Sequence, residues 1–186
     1  MLTGNGLIGL MLVLISLGLF LSIRLSFWVA WGIPSSFLGM FILGSFFGFT
    51  INMMSLFGMI LVIGILVDDG IIIGESIYQQ VEKYGKTPLQ AAIDGTLEVI
   101  KPVTISIFTT IVAFTPYFYF YGELGSHVWQ IAAVVIVSLL FSLIEAMVIL
   151  PAHLSHSKGL DIEINDDHIF GRIRKNLDKL FNKYII

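Results

Sequence analysis

The run Gly64-Ile65-Leu66-Val67-Asp68-Asp69-Gly70-Ile71-Ile72-Ile73-Gly74-Glu75-Ser76-Ile77 decides how this chain is read. Two adjacent carboxylates stand in the middle of an apolar stretch that extends from about Met53 to Tyr78. As a helix rising about 1.5 Å per residue, a stretch of that length crosses the roughly 30 Å hydrocarbon core of a bilayer. A charge at that depth costs at least about 2.5–3.5 kcal/mol on insertion scales, so an intramembrane carboxylate is a functional candidate by default. Adjacent carboxylates also repel, and the pair resists carrying two charges at once. A carboxyl group that gains and loses a proton is what a proton relay requires. Neighbouring helical positions point about 100° apart, so the two aspartates can play unequal parts. The competing explanation is that the pair neutralises a buried cation. No Lys or Arg lies inside any apolar run of this chain, so that explanation also requires a partner from elsewhere.

The composition around this run is that of a lipid-solvated protein. Hydrophobic residues make up 56% of the 186 and charged residues 12%, against about 25% charged in a soluble domain. With no cysteine there is no disulfide framework, no thiolate metal site and no Cys nucleophile. Basic residues are too few and scattered for nucleic-acid binding. No cofactor motif is present, and no Ser-His-Asp or metal-ligand spacing stands out. Five apolar runs read as transmembrane spans: about Gly6–Ile23, Phe27–Thr50, Met53–Tyr78, Pro102–Tyr121 and Val128–Leu150, the last expected to stop at Pro151. These must be helices, because an open strand leaves backbone groups unsatisfied in lipid. The expected fold class is therefore all-α, a polytopic membrane bundle of about five helices over residues 1–157, followed by a surface amphipathic helix over 158–186.

The basic residues set an orientation. Arg24 lies between the first two spans, Lys83, Lys86 and Lys101 between the third and fourth, and Lys158, Arg172, Arg174, Lys175, Lys179 and Lys183 after the fifth. Five crossings put all of them on one side, which the positive-inside rule makes cytoplasmic. The N-terminus is then outside and the C-terminus inside. The first run lacks the basic leading region of a signal peptide, and a chain that starts outside without one is expected to be a piece of a longer protein.

Two further helices are expected on the cytoplasmic side. Thr87-Pro88-Leu89-Gln90 reads as a capping box with Pro at the first helical position, opening a connector that feeds the fourth span. From about His168 to Ile185 an apolar stripe faces a basic face of Arg172, Arg174, Lys175, Lys179 and Lys183. That pattern suits a helix lying in the membrane interface against anionic headgroups.

Other polar and small residues complete the candidate set. Glu75, seven residues after Asp68, falls on nearly the same helix face and extends a possible polar path. Glu145, in the fifth span, is a second such element or an interfacial carboxylate. His127, His153 and His156 sit at span ends. Gly44 with Gly48, and Gly70 with Gly74, have the GxxxG spacing of close helix packing, with Gly58 and Gly64 adding to the latter surface. Pro34 and Pro116 are candidate kinks.

With these residues in view, the chain resembles the resistance-nodulation-division (RND) multidrug transporters of the acriflavine-resistance type. Residues 51–60 and 64–77 resemble the fourth transmembrane helix of that family. Residues 102–114 resemble the fifth, 142–153 the sixth, and the surface helix resembles the one that joins the two halves. The resemblance implies helices two to six of the first half of a proton-driven exporter in a bacterial inner membrane. It implies that Asp68 and Asp69 take up and release protons with a lysine of the second half, which has no counterpart here. It also implies a homotrimer with a periplasmic adaptor and an outer-membrane channel, besides the lipid bilayer as partner. Within that family the presence of both aspartates implies organic substrates over metals. A regulatory bundle like a sterol-sensing domain, or the auxiliary of the protein-secretion channel, fits the helix count, but the former does not need paired mid-membrane carboxylates. An intramembrane aspartyl protease needs its two aspartates on facing helices, not adjacent on one.

Overall fold

The computed structural model describes residues 9, 11, 15 and 23–156. Most of the first expected span and all of the expected surface helix, with Arg172, Arg174, Lys175, Lys179 and Lys183, lie outside the described residues. What is described is all helix and turn. Helix α1 spans Ile23–Phe46, α2 Met53–Tyr84 and α3 Pro88–Phe114, which runs into a 3-10 turn over Thr115–Tyr119. Helix α4 spans Gly122–Ile144, passes through a π-helical turn over Glu145–Ile149, and continues as α5, Leu150–His156. Four helical stretches among the described residues are long and apolar enough to cross a membrane.

Exposure is inverted relative to a water-soluble bundle. Phe27, Trp31, Leu38 and Ile42 of α1, Phe57 and Ile60 of α2, and Ile105, Phe108 and Val112 of α3 point outward, while Ser26, Ser36, Ser76, Thr96, Ser138 and Ser142 are buried. Such a surface is stable only where the solvent is itself apolar. Threonine hydroxyls of α3 are satisfied locally: Thr96, Thr104, Thr109 and Thr110 each donate to the carbonyl four residues back.

The turn between α1 and α2 is built from its own residues. Gly48 takes a left-handed φ of 69°, which glycine adopts without steric cost, and the Phe49 N–H bonds the Gly44 carbonyl at 2.9 Å. Asn52 then caps α2. Its side-chain oxygen accepts from the Met54 and Ser55 N–H groups, and the Ser55 hydroxyl oxygen accepts from the Asn52 N–H, closing a reciprocal box. The Asn52 amide also bonds the Gln130 side chain of α4. At the other end Gly85, with φ of 61°, returns its N–H to Val81 while Lys86 N–H reaches Gln80, a Schellman-type stop.

Helix α2 is the centre of the bundle because glycines on it and on α3 admit three close neighbours. Gly58 abuts Ile131 and Val134 of α4, and Gly70 and Gly74 abut Val29 and Leu25 of α1. On the third side Gly95 of α3 fits against the backbone of Ser76 and Ile77. There the Ser76 hydroxyl donates to the Gly95 carbonyl at 2.9 Å. Leu25, Val29, Val62, Ile73, Ile77, Ile107, Val135 and Leu139 form the apolar core between these contacts.

Four expectations are corrected. The connector and the fourth span are one helix, which passes straight through Pro102. Thr87 makes no side-chain capping bond, so the expected box is absent and Pro88 alone opens the helix. Pro151 does not stop the last span: the chain widens into the π turn just before it, where the Leu150 N–H reaches back to the Glu145 carbonyl, and remains helical to His156. A proline without a donor is tolerated where the turn before it can adjust. Finally, Gly44 and Gly48 do not make a helix-packing face. Helix α1 ends at Phe46, Gly44 makes room for the Phe49 ring, and Gly48 meets nothing within 4 Å. Gly64 likewise faces open space.

The glycine contacts give a stability test. A Cβ on Gly95 would lie 2.6 Å from the Ile77 Cα, so Gly95→Ala forces α3 off α2 and costs about 1–3 kcal/mol. Gly64→Ala, in open space, is neutral or stabilising by up to about 1 kcal/mol. Reversible denaturation of the chain in detergent micelles separates the two. Equal stability of both variants would mean that α2 and α3 do not approach this closely.

Candidate functional site

The 3.6-residue repeat of α2 splits the aspartate pair. Leu66, Val67, Asp69, Gly70 and Ile73 are buried, and Asp68 is exposed. Asp69 is 3% exposed, and its Oδ2 is buried with no hydrogen-bond partner among the described residues. The residue after it, Gly70, brings α1 close, with Val29 Cγ1 3.0 Å from where a Cβ would stand. Asp69 is thus a buried carboxylate next to a close α1–α2 contact, and Asp68 points away from the described bundle on an outward stripe with Ile72 and Glu75.

No cation is at hand. The sequence has no Lys or Arg from Leu25 to Glu82 or from Pro102 to Ser157. Lys101 is exposed near the middle of α3, and Lys83 and Lys86 lie at the turn of the α2–α3 hairpin. Lys86 is occupied there, in an ion pair with Asp94 at 2.8 Å and a bond to the Gln80 oxygen at 2.6 Å. Gln80 in turn donates to Glu98 at 2.7 Å. This network fixes the hairpin end and leaves the aspartates untouched.

Glu75 shares the outward face of Asp68 and belongs to a ladder along it. The Gln79 amide donates to Glu75 and Lys83 donates to the Gln79 oxygen, each at 3.1 Å. Glu145 does not join that ladder. It is 6% exposed, opens the π turn, and sets its carboxylate over Gly32 of α1, where a Cβ would be 2.7 Å from Oε2. Gly70 and Gly74 support the Asp69 side of α2 as described above. His153 lies stacked on Trp28 with ring centroids 4.2 Å apart, and His156 contacts the Ala152 carbonyl at 3.0 Å.

Two features escaped sequence reasoning. Ser138 of α4 is fully buried with its hydroxyl unpartnered among the described residues; a lone serine in an apolar helix gives no signal. The inward turn of Asp69 was available from the periodicity, since Gly58, Val62, Asp69, Ile73, Ser76 and Gln80 recur at helical spacing.

The family model for the AcrB/AcrD/AcrF family matches residues 2–184. The chain is similar to the multidrug export protein AcrF of Escherichia coli, 28% identical over 180 residues, which cover 94% of this chain and 17% of that protein. It is 31% identical over 148 residues to an uncharacterized transporter of Haemophilus influenzae, covering 77% of this chain and 14% of the relative. Against the toluene efflux pump membrane transporter TtgE of Pseudomonas putida it is 30% identical over 148 residues, 76% of this chain and 14% of that one. The chain therefore spans a small part of the length of these relatives, 14–17%. A multi-pass helix bundle matched by the family model over nearly its whole length belongs to the AcrB/AcrD/AcrF family of RND multidrug efflux transporters.

Proposed function

We propose that this chain is the membrane part of one half of a proton-motive-force-driven exporter, a drug/proton antiporter, in which Asp68 and Asp69 take up and release protons. The observation that carries this reading is Asp69: a mid-span carboxylate, buried, with one oxygen unmatched by any described donor. An unpaired charge in that position is too costly to persist. Two neutralisers are available in principle, a proton or a cation brought from outside the described helices. They compete, because a proton removes the charge that holds the cation. A carboxylate that alternates between the two is a two-state element, and such an element couples a gradient to a conformational change.

The outward position of Asp68 supports a partner on that face. A carboxylate facing hydrocarbon at this depth is as costly as a buried one, so the face of α2 that carries it meets protein. The resemblance implies that this is the second half of the transporter, with its lysine. In the same reading the ladder Lys83, Gln79 and Glu75 leads protons between the lysine-rich end and Asp68. That end is cytoplasmic, in a bacterial inner membrane, with the N-terminus periplasmic. Residues 1–157 are the bundle and 158–186 the interfacial helix, whose basic side chains meet headgroups. Organic amphiphiles are the cargo, and the working assembly is a homotrimer with an adaptor and an outer-membrane channel.

The coupling test uses a full-length transporter carrying this segment, reconstituted in vesicles under an imposed pH gradient. Asp69→Asn abolishes gradient-driven efflux of a fluorescent amphiphile, to the level of empty vesicles. Wild-type efflux in that variant would refute the proton role. The orientation has its own check, because the chain has no cysteine. Tyr84→Cys and Tyr121→Cys, both at exposed positions, react with a membrane-impermeant maleimide from opposite sides of right-side-out vesicles. Only Tyr121→Cys reacts from outside.

A further inference from the structure

Among the described residues two carboxylates are buried, and only Asp69 belongs to the adjacent pair; the other is Glu145. Their relative depth follows from the packing of α2 on α4. The Asn52–Gln130 bond ties the starts of the contact, and Gly58 meets Ile131 and Val134 further along, so the two helices run in the same direction. Asp69 stands eleven residues beyond Gly58, and Glu145 eleven beyond Val134. Eleven residues are about three turns, roughly 16 Å, and return a helix to within about 20° of its starting face. The two carboxyl-bearing positions therefore lie within about one helical turn of the same depth, each on the side of its helix that made the glycine contact.

Helix α1 fixes the same level independently. Val29 packs on Gly70, next to Asp69, and Gly32, less than one turn along α1, receives the Glu145 carboxylate. The glycine is a fitted cradle, since a Cβ there would be 2.7 Å from Oε2 and 3.2 Å from Oε1. Glu145 also opens the π turn, a local widening found often at functional sites.

The ionisable groups around Glu145 are few. Helix α1 from Leu25 to Phe46 carries none. Helix α3 carries Asp94 and Glu98 in its first half and Lys101 near its middle, all three exposed or only half-buried, and none beyond. Helix α4 carries Glu123 and His127 at its outer end, and α5 carries His153 and His156. On α2, Asp68 and Glu75 are exposed, which leaves Asp69 as the ionisable group turned inward at the level of Glu145. Glu145 forms no ion pair among the described residues, and an uncompensated charge at this depth is costly.

We propose that Glu145 is a second proton-binding group of the bundle, seated beside Gly32 at about the depth of Asp69. The proton adds to a carboxylate oxygen of Glu145 and leaves from it again, without passing through Asp69. A proton on Glu145 stands or falls separately from the preceding reading of Asp69.

Infrared spectra of the chain in lipid nanodiscs, taken across pH with carboxyl-labelled glutamate or aspartate, separate the two. The expected result is a protonated-glutamate band that persists at neutral pH and is lost in Glu145→Gln. Absence of the band at neutral pH overturns the proposal. The aspartate-labelled band, lost in Asp69→Asn, tests the earlier reading alone. Should a variant fail to fold, the unsubstituted chain still decides the matter. A hydrophobic carbodiimide, which adds to protonated carboxyl groups, labels Glu145 at neutral pH by peptide mass mapping; an unlabelled Glu145 overturns the proposal.

Discussion

Hydrocarbon supplies no hydrogen bonds and does not screen charge, and the rest of this structure follows from that constraint. Backbone groups are satisfied within helices, and helix ends are finished by local chemistry. Asn52 and Ser55 cap one end of α2, and Gly85 closes the other. Threonine hydroxyls in the spans bond their own helix. Because lipid does not drive helices together as water does, association depends on close packing. Glycines let α2 approach α1, α3 and α4 at Gly70 and Gly74, at Gly95 and at Gly58 respectively. The same constraint makes Asp69 conspicuous, since it is the carboxylate on this central helix that the surrounding packing does not satisfy.

Much of this was legible in the sequence, and the limits have physical causes. The apolar runs gave the helices around Asp68 and Asp69 because length and hydropathy are properties of the segment alone. The prolines misled, because the rule that proline ends a helix is a rule about isolated turns. Pro102 sits inside a helix that packs on α2 two turns earlier, at Gly95, and Pro151 follows a turn that widened to accept it. Glycine spacing misled for a related reason. Gly44 and Gly48 have the same interval as Gly70 and Gly74, but one pair serves a chain reversal and the other a helix contact. The difference lies in where the helix stops, and that is set by Gly48 and Asn52 outside the pattern.

The aspartates divide the same way. That both stand at mid-span was plain from their position. That Asp69 turns inward and Asp68 outward depends on which face of α2 the neighbours cover. The neighbours are chosen by Gly58, Gly70, Gly74 and Ser76, residues that look unremarkable one at a time. Read together at helical spacing they already mark one side of α2 as interior, and Asp69 falls among them.

The placement of α2 explains how one helix can serve two surfaces. Its inward side is filled by three neighbours, so it cannot rotate without breaking the Gly70–Val29, Gly58–Val134 and Gly95–Ile77 contacts together. Its outward side carries Asp68, Glu75 and Gln79 on a face that the described helices leave open. A change of charge at Asp69 is therefore resisted by a packed core on one side and free to be answered on the other. The other buried carboxylate, Glu145, opens a π turn, where the helix departs from α geometry. Asp69 thus stands in a regular helix packed on three sides, and Glu145 in a widened turn of the kind found often at functional sites.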